Sequence, residues 1–420
     1  MSASTPHTLG HATRRPGHRV LAGVAWTLAT LVGFGVVLTH TYVSKMEAKV
    51  AAVDVDALLG TNRPAPALPP TDGAAGVALN IVLIGSDSRD GANEAIGGYE
   101  GGMRSDTTLL MHIAADRQRV ELISFPRDSM VKLAECTRAN GTTQRSYTGM
   151  FNEAFANGAT GATDAVTAQA YGAACTIATI ESLTNIRIDH YAVVDFAGMM
   201  NTIDAVGGVP MCIEKDVYDE YTGLDLKKGP LLMDGYTTTQ YARMRHGTGL
   251  DGSDLSRIDR QQQLLKNLAR KVMGTDVLFN PLELTDFLSA ALSSVTVDPT
   301  LGTMTYDAGL AFSLRNLDLK AGMVMGTVPV RAYEPNPYRV EFIPKDSAAI
   351  FQAIANDQPI AGLLDKQSAS PANDPEAGQT PSTGDGGTGG TGSDDGGTGG
   401  GTVTPPQRET QDDILAACTA

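Results

Sequence analysis

Five short apolar runs rich in branched residues constrain the fold of this chain most. Each has the length and composition of a strand, and they are LNIVLIG (79–85), TTLLMHIA (107–114), RVELISF (119–125), HYAVVDF (190–196) and VPMCI (209–213). Segments with helical periodicity lie between and after them, at 152–158, 173–186, 196–208, 237–246 and 253–274. Strands that alternate with helices predict an α/β fold, in which a central mixed β-sheet is flanked by helices as an α/β/α sandwich.

A longer apolar run near the N-terminus predicts a membrane anchor. Residues 20–39 carry no charge, and twenty helical residues at about 1.5 Å each span the ~30 Å hydrocarbon core. A cleaved signal peptide would have a shorter apolar region, and a buried core helix, the alternative, rarely stays apolar for this length. Three arginines and no acidic residue precede the run, Arg14, Arg15 and Arg19. This charge pattern predicts a single-pass protein of the cell membrane with a cytoplasmic N-terminus and an extracytoplasmic C-terminal part.

The sequence divides into five parts. We expect a cytoplasmic segment at 1–19, a transmembrane signal anchor at 20–43, a linker at 44–78, an extracytoplasmic folded domain at 79–365 and a disordered tail at 366–420. The tail consists mainly of Gly, Thr, Ser, Asp and Pro, a composition that cannot bury a core.

The overall charge argues against a nucleic-acid-binding protein. The chain has 47 acidic and 32 basic residues, a formal net charge of -15, whereas nucleic-acid binding needs a basic face. The sequence also contains no GxSxG, HExxH or GxxxxGK[ST] motif, so serine-hydrolase, zinc-protease and P-loop chemistry are not indicated.

Four cysteines, Cys136, Cys175, Cys212 and Cys418, form no CxxC pair, which argues against a zinc site or a thioredoxin-like motif. An even number in a chain that leaves the cytoplasm favours disulfides. Cys136 and Cys175 bracket a Gly/Thr-rich stretch, and we expect them to pair. Cys212 either pairs with Cys418 or is a small buried residue on an apolar strand.

Charged residues cluster at the predicted strand ends, where α/β proteins build their sites. The clusters are GSDSRDG (85–91), RSDT (104–107), SFPRDS (124–129) and the pair YARMRH and DLSRIDRQQ. Arginine binds phosphate oxygens bidentately, and one or two carboxylates such as Asp87 and Asp106 suit Mg²⁺. The pattern therefore favours a pyrophosphate site. The alternative is that the arginines pair with nearby carboxylates, namely Asp90, Asp128, Asp254 and Asp259.

Helical spacing orients the last cluster. Arg257 and Arg260 are three residues apart and share a face, next to an apolar stripe of Ile258, Leu265, Leu268 and Val272. Arg243 and Arg245 are two apart and would point in different directions on a helix, so we expect one of them to be structural.

The ordered set of segments resembles the LytR-CpsA-Psr family of cell-wall phosphotransferases. The matching pieces, in the family's order, are NIVLIGSDSR, MRSDTTLLMHI, ISFPRDS, FNEAFANGA, IDHYAVVDF, DAVGGVPMCI and QYARMRH leading to DLSRIDRQQ. They cover roughly residues 79–273, and the long, cysteine-containing chain is similar to actinobacterial members. One departure is Phe125, which stands where family members often have isoleucine.

The resemblance implies an α/β fold with an apolar channel for a polyprenyl-pyrophosphate lipid, and Mg²⁺ (or Mn²⁺) as cofactor. Carried over by motif, Asp87 and Asp106 would bind the metal. The pyrophosphate would be bound by Arg89, Arg104, Arg127 and Arg245. The catalytic residues would be Arg127, Arg243, Arg257, Arg260 and Asp254, the last orienting the arginines or acting as the base.

Three functions remain open at this point. The resemblance implies a phosphotransferase that moves a glycopolymer phosphate from a polyprenyl-pyrophosphate carrier onto peptidoglycan, with the membrane as a further partner. A polyprenyl-pyrophosphate hydrolase would use the same site with water as acceptor. The third function is that of a noncatalytic lipid-binding or regulatory protein of the cell envelope.

Overall fold

The computed structural model describes residues 41, 43–45, 47–48, 50–61, 63–66, 76–87, 103–244, 254–273, 277, 280–368, 415 and 418. The chain divides into two units, Met1–Ala48 and Lys49–Ala420. In the first unit Thr41, residues 43–45 and Glu47 are helical. Over the described ranges, no helix combines the length and apolar character that crossing a membrane requires. The predicted apolar run at 20–39 lies outside those ranges.

The strands and helices of the second unit follow one another as the alternating pattern predicts. The strands are β1 (Ala51–Ala52), β2 (Leu79–Ser86), β3 (Ser105–Ile113), β4 (Val120–Ser124), β5 (Met130–Leu133), β6 (Cys136–Thr137), β7 (Thr143–Gln144), β8 (Tyr147–Met150), β9 (His190–Val194), β10 (Val209–Ile213), β11 (Val217–Asp219), β12 (Leu224–Leu226), β13 (Gly229–Met233), β14 (Val295–Val297), β15 (Met323–Thr327), β16 (Val330–Tyr333) and β17 (Asn336–Phe342). The helices are α1 (Asp56–Leu59), α2 (Glu153–Ala159), α3 (Ala165–Thr184), α4 (Phe196–Ala205), α5 (Gly235–Arg243), α6 (Asp254–Val272), α7 (Pro281–Leu292), α8 (Met304–Ser313), α9 (Pro344–Ala355) and α10 (Ala361–Ser368).

Seven of the described strands form the central sheet, in the order β1-β14-β9-β2-β3-β4-β15. β3 is antiparallel to both of its neighbours, β2 and β4. β9 is parallel to β2, and β15 is parallel to β4. This mixed sheet confirms the predicted α/β class and four of the five predicted strands as its members. The fifth, β10, pairs instead with β13 in a separate two-stranded sheet.

The central sheet is buried on both faces, which explains why its strands are continuous apolar runs rather than alternating ones. Val82 and Leu110 face a core shared with α2, α3 and α9, whereas Ile81 and Leu122 face a second core beneath α8. Helix α3 starts earlier than predicted because the Asp164 carboxylate caps its first turn.

A third apolar cluster joins β10 and β13 to helices α4, α5 and α6. Its members include Ile203, Met211, Tyr241 and Leu264. The buried stripe of α6 runs through Leu264, which is 1% exposed, rather than through Leu265 as predicted. Leu264 is seven residues after Arg257, so the face that carries arginines in the first turns continues as the apolar face.

Part of the predicted linker at 44–78 belongs to the folded domain. β1 pairs with β14 at the edge of the central sheet, and the Tyr191 hydroxyl donates a hydrogen bond to the Val53 carbonyl at 2.8 Å. Arg63 Nη2 lies 2.7 Å from Glu181 Oε1 and donates to the Ile188 carbonyl at 2.7 Å. The apolar pattern could not show this, because β1 has only two residues and Arg63 is held by polar contacts.

The structure brings both candidate cysteine pairs together. Cys136 in β6 and Cys175 in α3 have Cα atoms 5.3 Å apart. The Cα atoms of Cys212 and Cys418 are 5.4 Å apart. Both separations lie in the ~4.4–6.8 Å range of disulfides. Both pairs are therefore close enough for a disulfide, and the pairings themselves stay predictions.

A polar cluster lies at the edge of the sheet where β9 begins and β3 ends. His190 Nδ1 lies 3.1 Å from Asp298 Oδ1, and its Nε2 lies 3.0 Å from the Tyr306 hydroxyl. Burial, with a further contribution from the Asp298 charge, raises the pKa of Asp307 to about 7. His190, Asp298 and Tyr306 thus satisfy one another within the fold, whereas the charged form of Asp307 is destabilised.

The Arg63–Glu181 pair should stabilise the docked segment strongly. Both side chains are nearly buried, 6% and 5% exposed, so Arg63→Ala leaves a buried carboxylate uncompensated and should lower the free energy of unfolding by about 3 kcal/mol. The matched control is Asp56→Ala. Asp56 also pairs with Arg63 but is 74% exposed, and its loss should cost no more than about 0.5 kcal/mol. Equal losses in urea unfolding would contradict this assignment.

Asp307 should make stability depend on pH. Its folded pKa of about 7 exceeds its ordinary value of 3.8, so the folded state binds more protons than the unfolded state between these values. Stability is therefore lost as pH rises from about 4 to about 7. Asp307→Asn should unfold like the wild type at pH 4 and be more stable by about 1–3 kcal/mol at pH 8. Thermal unfolding of both proteins between pH 4 and pH 8 measures this difference in stability. A variant that is less stable than the wild type at pH 8 would refute the prediction.

Candidate functional site

The charged segments of the sequence converge at the opposite edge of the central sheet. Because β3 is antiparallel to β2 and β4, the start of β3 lies beside the ends of its two neighbours. Asp87 follows β2, Asp106 is the second residue of β3, and Arg127 follows β4. Three separate predicted segments therefore contribute to one place.

Helix α6 is fastened to this edge by two glutamines. Thr107 Oγ1 donates to Gln261 Oε1 at 2.9 Å. Gln262 Nε2 donates to Ser124 Oγ at 2.9 Å and to the Gly326 carbonyl at 2.9 Å. These bonds tie the helix to β3, β4 and β15, so its arginines lie over the strand ends.

A β-bulge sets the position of Asp106. Gly85 pairs with Thr107, whereas Ser86 pairs with Ser105, so Asp106 is the extra residue of β3 without a partner across the ladder. Bulges redirect a side chain locally and are enriched next to active sites. The Asp106 carboxylate is 28% exposed, which leaves it accessible at the edge of the sheet.

Asp106 binds two arginines from different elements. Its Oδ1 accepts a hydrogen bond from Arg127 Nη1 at 2.5 Å. Its Oδ2 lies 3.6 Å from Arg257 Nη1, and its backbone carbonyl accepts from Arg257 Nη2 at 2.9 Å. One carboxylate therefore orients two guanidinium groups at the edge of the sheet.

Arg257 is almost completely buried, with 2% of the residue exposed. A buried charge costs several kcal/mol unless it is paired and hydrogen-bonded. Asp106 supplies both a carboxylate and a carbonyl to it. Asp106 therefore helps to compensate the buried Arg257 charge.

Arg260 lies one turn further along α6 and is 9% exposed. Its Nη2 donates to the Met244 carbonyl. Gln261 Nε2 donates to the nearby Ala242 carbonyl at 3.2 Å. Arg260 thus joins α6 to the end of α5, and its position beside Arg257 agrees with the predicted shared face.

Asp87 and Arg104 continue the β2–β3 ladder beyond the bulge. The Asp87 amide donates to the Arg104 carbonyl at 3.0 Å, and the Arg104 amide donates to Asp87 Oδ1 at 2.5 Å. The Arg104 side chain is exposed. The ladder therefore holds Asp87 in place and leaves Arg104 at the rim of the site.

The two carboxylates fit a magnesium ion in one specific way. Asp87 and Asp106 come from neighbouring strands, both partly exposed, and offer the hard oxygen ligands that Mg²⁺ prefers. Among the described residues, no group of three or more His, Cys, Asp or Glu could form an all-protein metal cage. Two carboxylates would leave coordination positions for water and phosphate oxygens, which Mg²⁺ normally keeps.

Among the remaining predicted site residues, the structure describes only the side chain of Arg243. The Arg243 guanidinium lies over the Phe196 ring, 4.4 Å from its centroid, and Nη1 donates to Gln240 Oε1 at 3.1 Å. Asp254 begins α6, one turn before Arg257, and its side chain lies outside the described part. Arg89 and Arg245 are also outside it. The structure thus brings together Asp87, Asp106, Arg104, Arg127, Arg257 and Arg260, and it places Arg243 on an aromatic ring.

Two further residues adjoin the site without having been assigned to it from the sequence. Asp128 entered only as a pairing partner for arginines, and its Oδ2 does lie 3.6 Å from Arg127 Nε. Arg339 donates to Asp128 Oδ1 at 2.7 Å. Since 211 positions separate these two, no local motif could have connected them. Asp128 therefore joins Arg339 to the same arginine that Asp106 binds.

The chain is similar in sequence to known bacterial cell-wall proteins. The chain is 30% identical over 317 residues to the probable cell wall biosynthesis protein LcpB of Corynebacterium glutamicum, covering 74% of this chain and 66% of LcpB. It is 26% identical over 226 residues to the polyisoprenyl-teichoic acid–peptidoglycan teichoic acid transferase TagU of Enterococcus faecalis, covering 54% of this chain and 63% of TagU. The chain thus spans just under two thirds of the length of these relatives.

A solved structure shares the fold. The crystal structure of protein gbs0355 from Streptococcus agalactiae matches with a TM-score of 0.53 and 19% identity, covering 67% of this chain and 87% of that one. The LytR_cpsA_psr family model matches residues 42–348, which is well over half of the 420 residues. The chain therefore belongs to the LytR-CpsA-Psr family.

Proposed function

We propose that this protein is a membrane-anchored phosphotransferase that moves a glycopolymer phosphate from a polyprenyl-pyrophosphate carrier onto peptidoglycan. The observation that carries the proposal is Asp106, whose carboxylate binds Arg127 at 2.5 Å and Arg257 at 3.6 Å. Two oriented guanidinium groups at a partly exposed edge form a site for phosphate oxygens. The similarity to TagU, a polyisoprenyl-teichoic acid–peptidoglycan teichoic acid transferase, supports this choice of donor and acceptor.

The reaction forms one P–O bond and breaks another. An acceptor hydroxyl of peptidoglycan attacks the phosphorus next to the sugar, and the bond from that phosphorus to the bridging oxygen breaks. Polyprenyl phosphate leaves, the hydroxyl proton is transferred to a base, and the glycopolymer is joined to peptidoglycan by a phosphodiester. Phosphoryl transfer depends mainly on positioning and charge stabilisation, which Arg127 and Arg257 supply. Asp254, one turn before Arg257, is the proposed base or orienting residue.

Asp87 and Asp106 would bind Mg²⁺ (or Mn²⁺) together with the pyrophosphate. The metal would neutralise charge on the phosphate oxygens when bound. Asp106 would then touch both the metal and the arginines, so that cation and guanidinium groups approach the same phosphates. Arg89, Arg104, Arg245, Arg243 and Arg260 complete the proposed phosphate-binding set.

An extracytoplasmic location is part of the proposal. It follows from the uncharged run at 20–39 and the arginines before it. The Cα distances of 5.3 and 5.4 Å between paired cysteines suit disulfides, which form outside the cytoplasm.

Turnover of a defined lipid tests the proposal. The full chain is incubated with a polyprenyl-pyrophosphate-linked saccharide, Mg²⁺ and peptidoglycan, and both released polyprenyl phosphate and wall-bound saccharide are measured. Transfer predicts that the two products appear in equal amounts. Release without attachment would replace the proposal with a hydrolase, and lipid binding without release would indicate a noncatalytic module.

The Asp106 site should be essential for turnover. Arg127→Ala removes a guanidinium that stabilises the transferring phosphate, so kcat should fall by about 10²–10³-fold. Asp106→Asn should cost at least as much, because it affects both arginines and the metal. Matched controls are Arg331→Ala and Asp116→Asn, which lie outside the site. Full activity in Asp106→Asn with an intact fold would refute this role.

Removal of divalent metal should abolish activity. Chelation by EDTA should stop release of polyprenyl phosphate, and added Mg²⁺ should restore it, because Asp87 and Asp106 would hold a metal that neutralises charge on the pyrophosphate. Binding of Mn²⁺ to the full chain with inorganic pyrophosphate, followed by electron paramagnetic resonance, should weaken about tenfold or more in Asp87→Asn. Unchanged Mn²⁺ affinity in that variant would exclude Asp87 as a ligand.

A further inference from the structure

A hairpin far along the chain borders the site. β16 and β17 pair antiparallel, and a parallel bridge joins Ser129 to Val340. The Phe342 ring packs edge-on against Phe125, with centroids 6.1 Å apart. The hairpin is therefore fixed against the segment that carries Arg127 and Asp128.

Asp128 connects this hairpin to Arg127. Its Oδ1 accepts a hydrogen bond from Arg339 Nη1 at 2.7 Å, and its Oδ2 lies 3.6 Å from Arg127 Nε. On the other side, Arg127 Nη1 binds Asp106 Oδ1 at 2.5 Å. The Arg127 guanidinium is thus held between two carboxylates, and Arg339 holds the outer one.

The charge of Arg339 limits how strongly Asp128 attracts Arg127. Without Arg339, Asp128 would be free to turn both oxygens toward Arg127 and would compete with Asp106 for it. The side chains of Arg339, Asp128 and Arg127 are 33%, 22% and 18% exposed. Solvent therefore screens this competition only in part.

We infer that Arg339 is a positioning residue for phosphoryl transfer, which acts through Asp128 to direct Arg127 toward the phosphate. This inference rests on the proposed function. It assigns Arg339 a role through Asp128, to which its Nη1 donates, rather than a contact with substrate. Misplacement of a reacting geometry by about 1 Å costs on the order of 10²-fold in rate, so a positioning residue should affect kcat more than KM.

Kinetics of the full chain separate positioning from substrate contact. Arg339→Ala should lower kcat about tenfold or more with KM changed less than about twofold, and Arg339→Lys should recover part of the loss. Arg339→Ala combined with Asp128→Asn should be no slower than Arg339→Ala alone. The control is Arg331→Ala in the same hairpin, which removes the Glu341 pair at 2.8 Å instead. A raised KM with unchanged kcat would overturn the inference and indicate substrate contact.

A spectroscopic measurement tests the inference without turnover. The Nε–Hε NMR signal of Arg127, identified by its loss in Arg127→Lys, should shift in Arg339→Ala and stay in place in Arg331→Ala. If the wild-type protein shows no turnover, the proposed function is contradicted. A shift of the Arg127 signal in Arg339→Ala would still support the positioning of Arg127 by Arg339. An unmoved Arg127 signal in Arg339→Ala would overturn it.

Discussion

The structure of the site depends on one carboxylate shared by two arginines. Asp106 binds Arg127 from the segment after β4 and Arg257 from α6, at 2.5 Å and 3.6 Å. The β-bulge opposite Gly85 and Ser86 provides the extra residue that makes this geometry possible. Arg257 is 2% exposed, and Asp106 offsets part of the cost of burying its charge. Asp106 therefore contributes both to the packing of α6 and to the geometry of the site.

The two edges of the central sheet differ in the charged residues that they carry. At the edge where β9 begins, His190, Asp298 and Tyr306 satisfy one another within the fold. At the other edge, Asp106 pairs with Arg127 and Arg257, and Asp128 pairs with Arg127 and Arg339. Arginines from distant parts of an acidic chain of net charge -15 thus meet at this second edge, which is where the proposed site lies.

The main strands and several site residues were predictable because they depend on local sequence patterns. Apolar runs located β2, β3, β4 and β9, and the motifs located Asp106 and Arg127 near strand ends and Arg257 on α6. The sequence could not show what depends on contacts between distant residues. Arg339 reaches Asp128 across 211 positions, and Arg63 fixes a segment expected to be a linker through Glu181. Arg243 sits over Phe196, a contact that no spacing rule indicates. Likewise, helical spacing placed the buried stripe of α6 one residue away from Leu264.

A double-mutant cycle on single-turnover rates tests the central claim most directly. It compares Asp106→Asn, Arg127→Lys and the double variant of the full chain with the wild type. If Asp106 acts by orienting Arg127, the two changes remove the same arrangement, and the double variant should lose about as much rate as the worse single one. This corresponds to a coupling of about 1.4 kcal/mol or more, which is tenfold in rate. Losses that multiply independently would contradict the claim that one carboxylate organises the site.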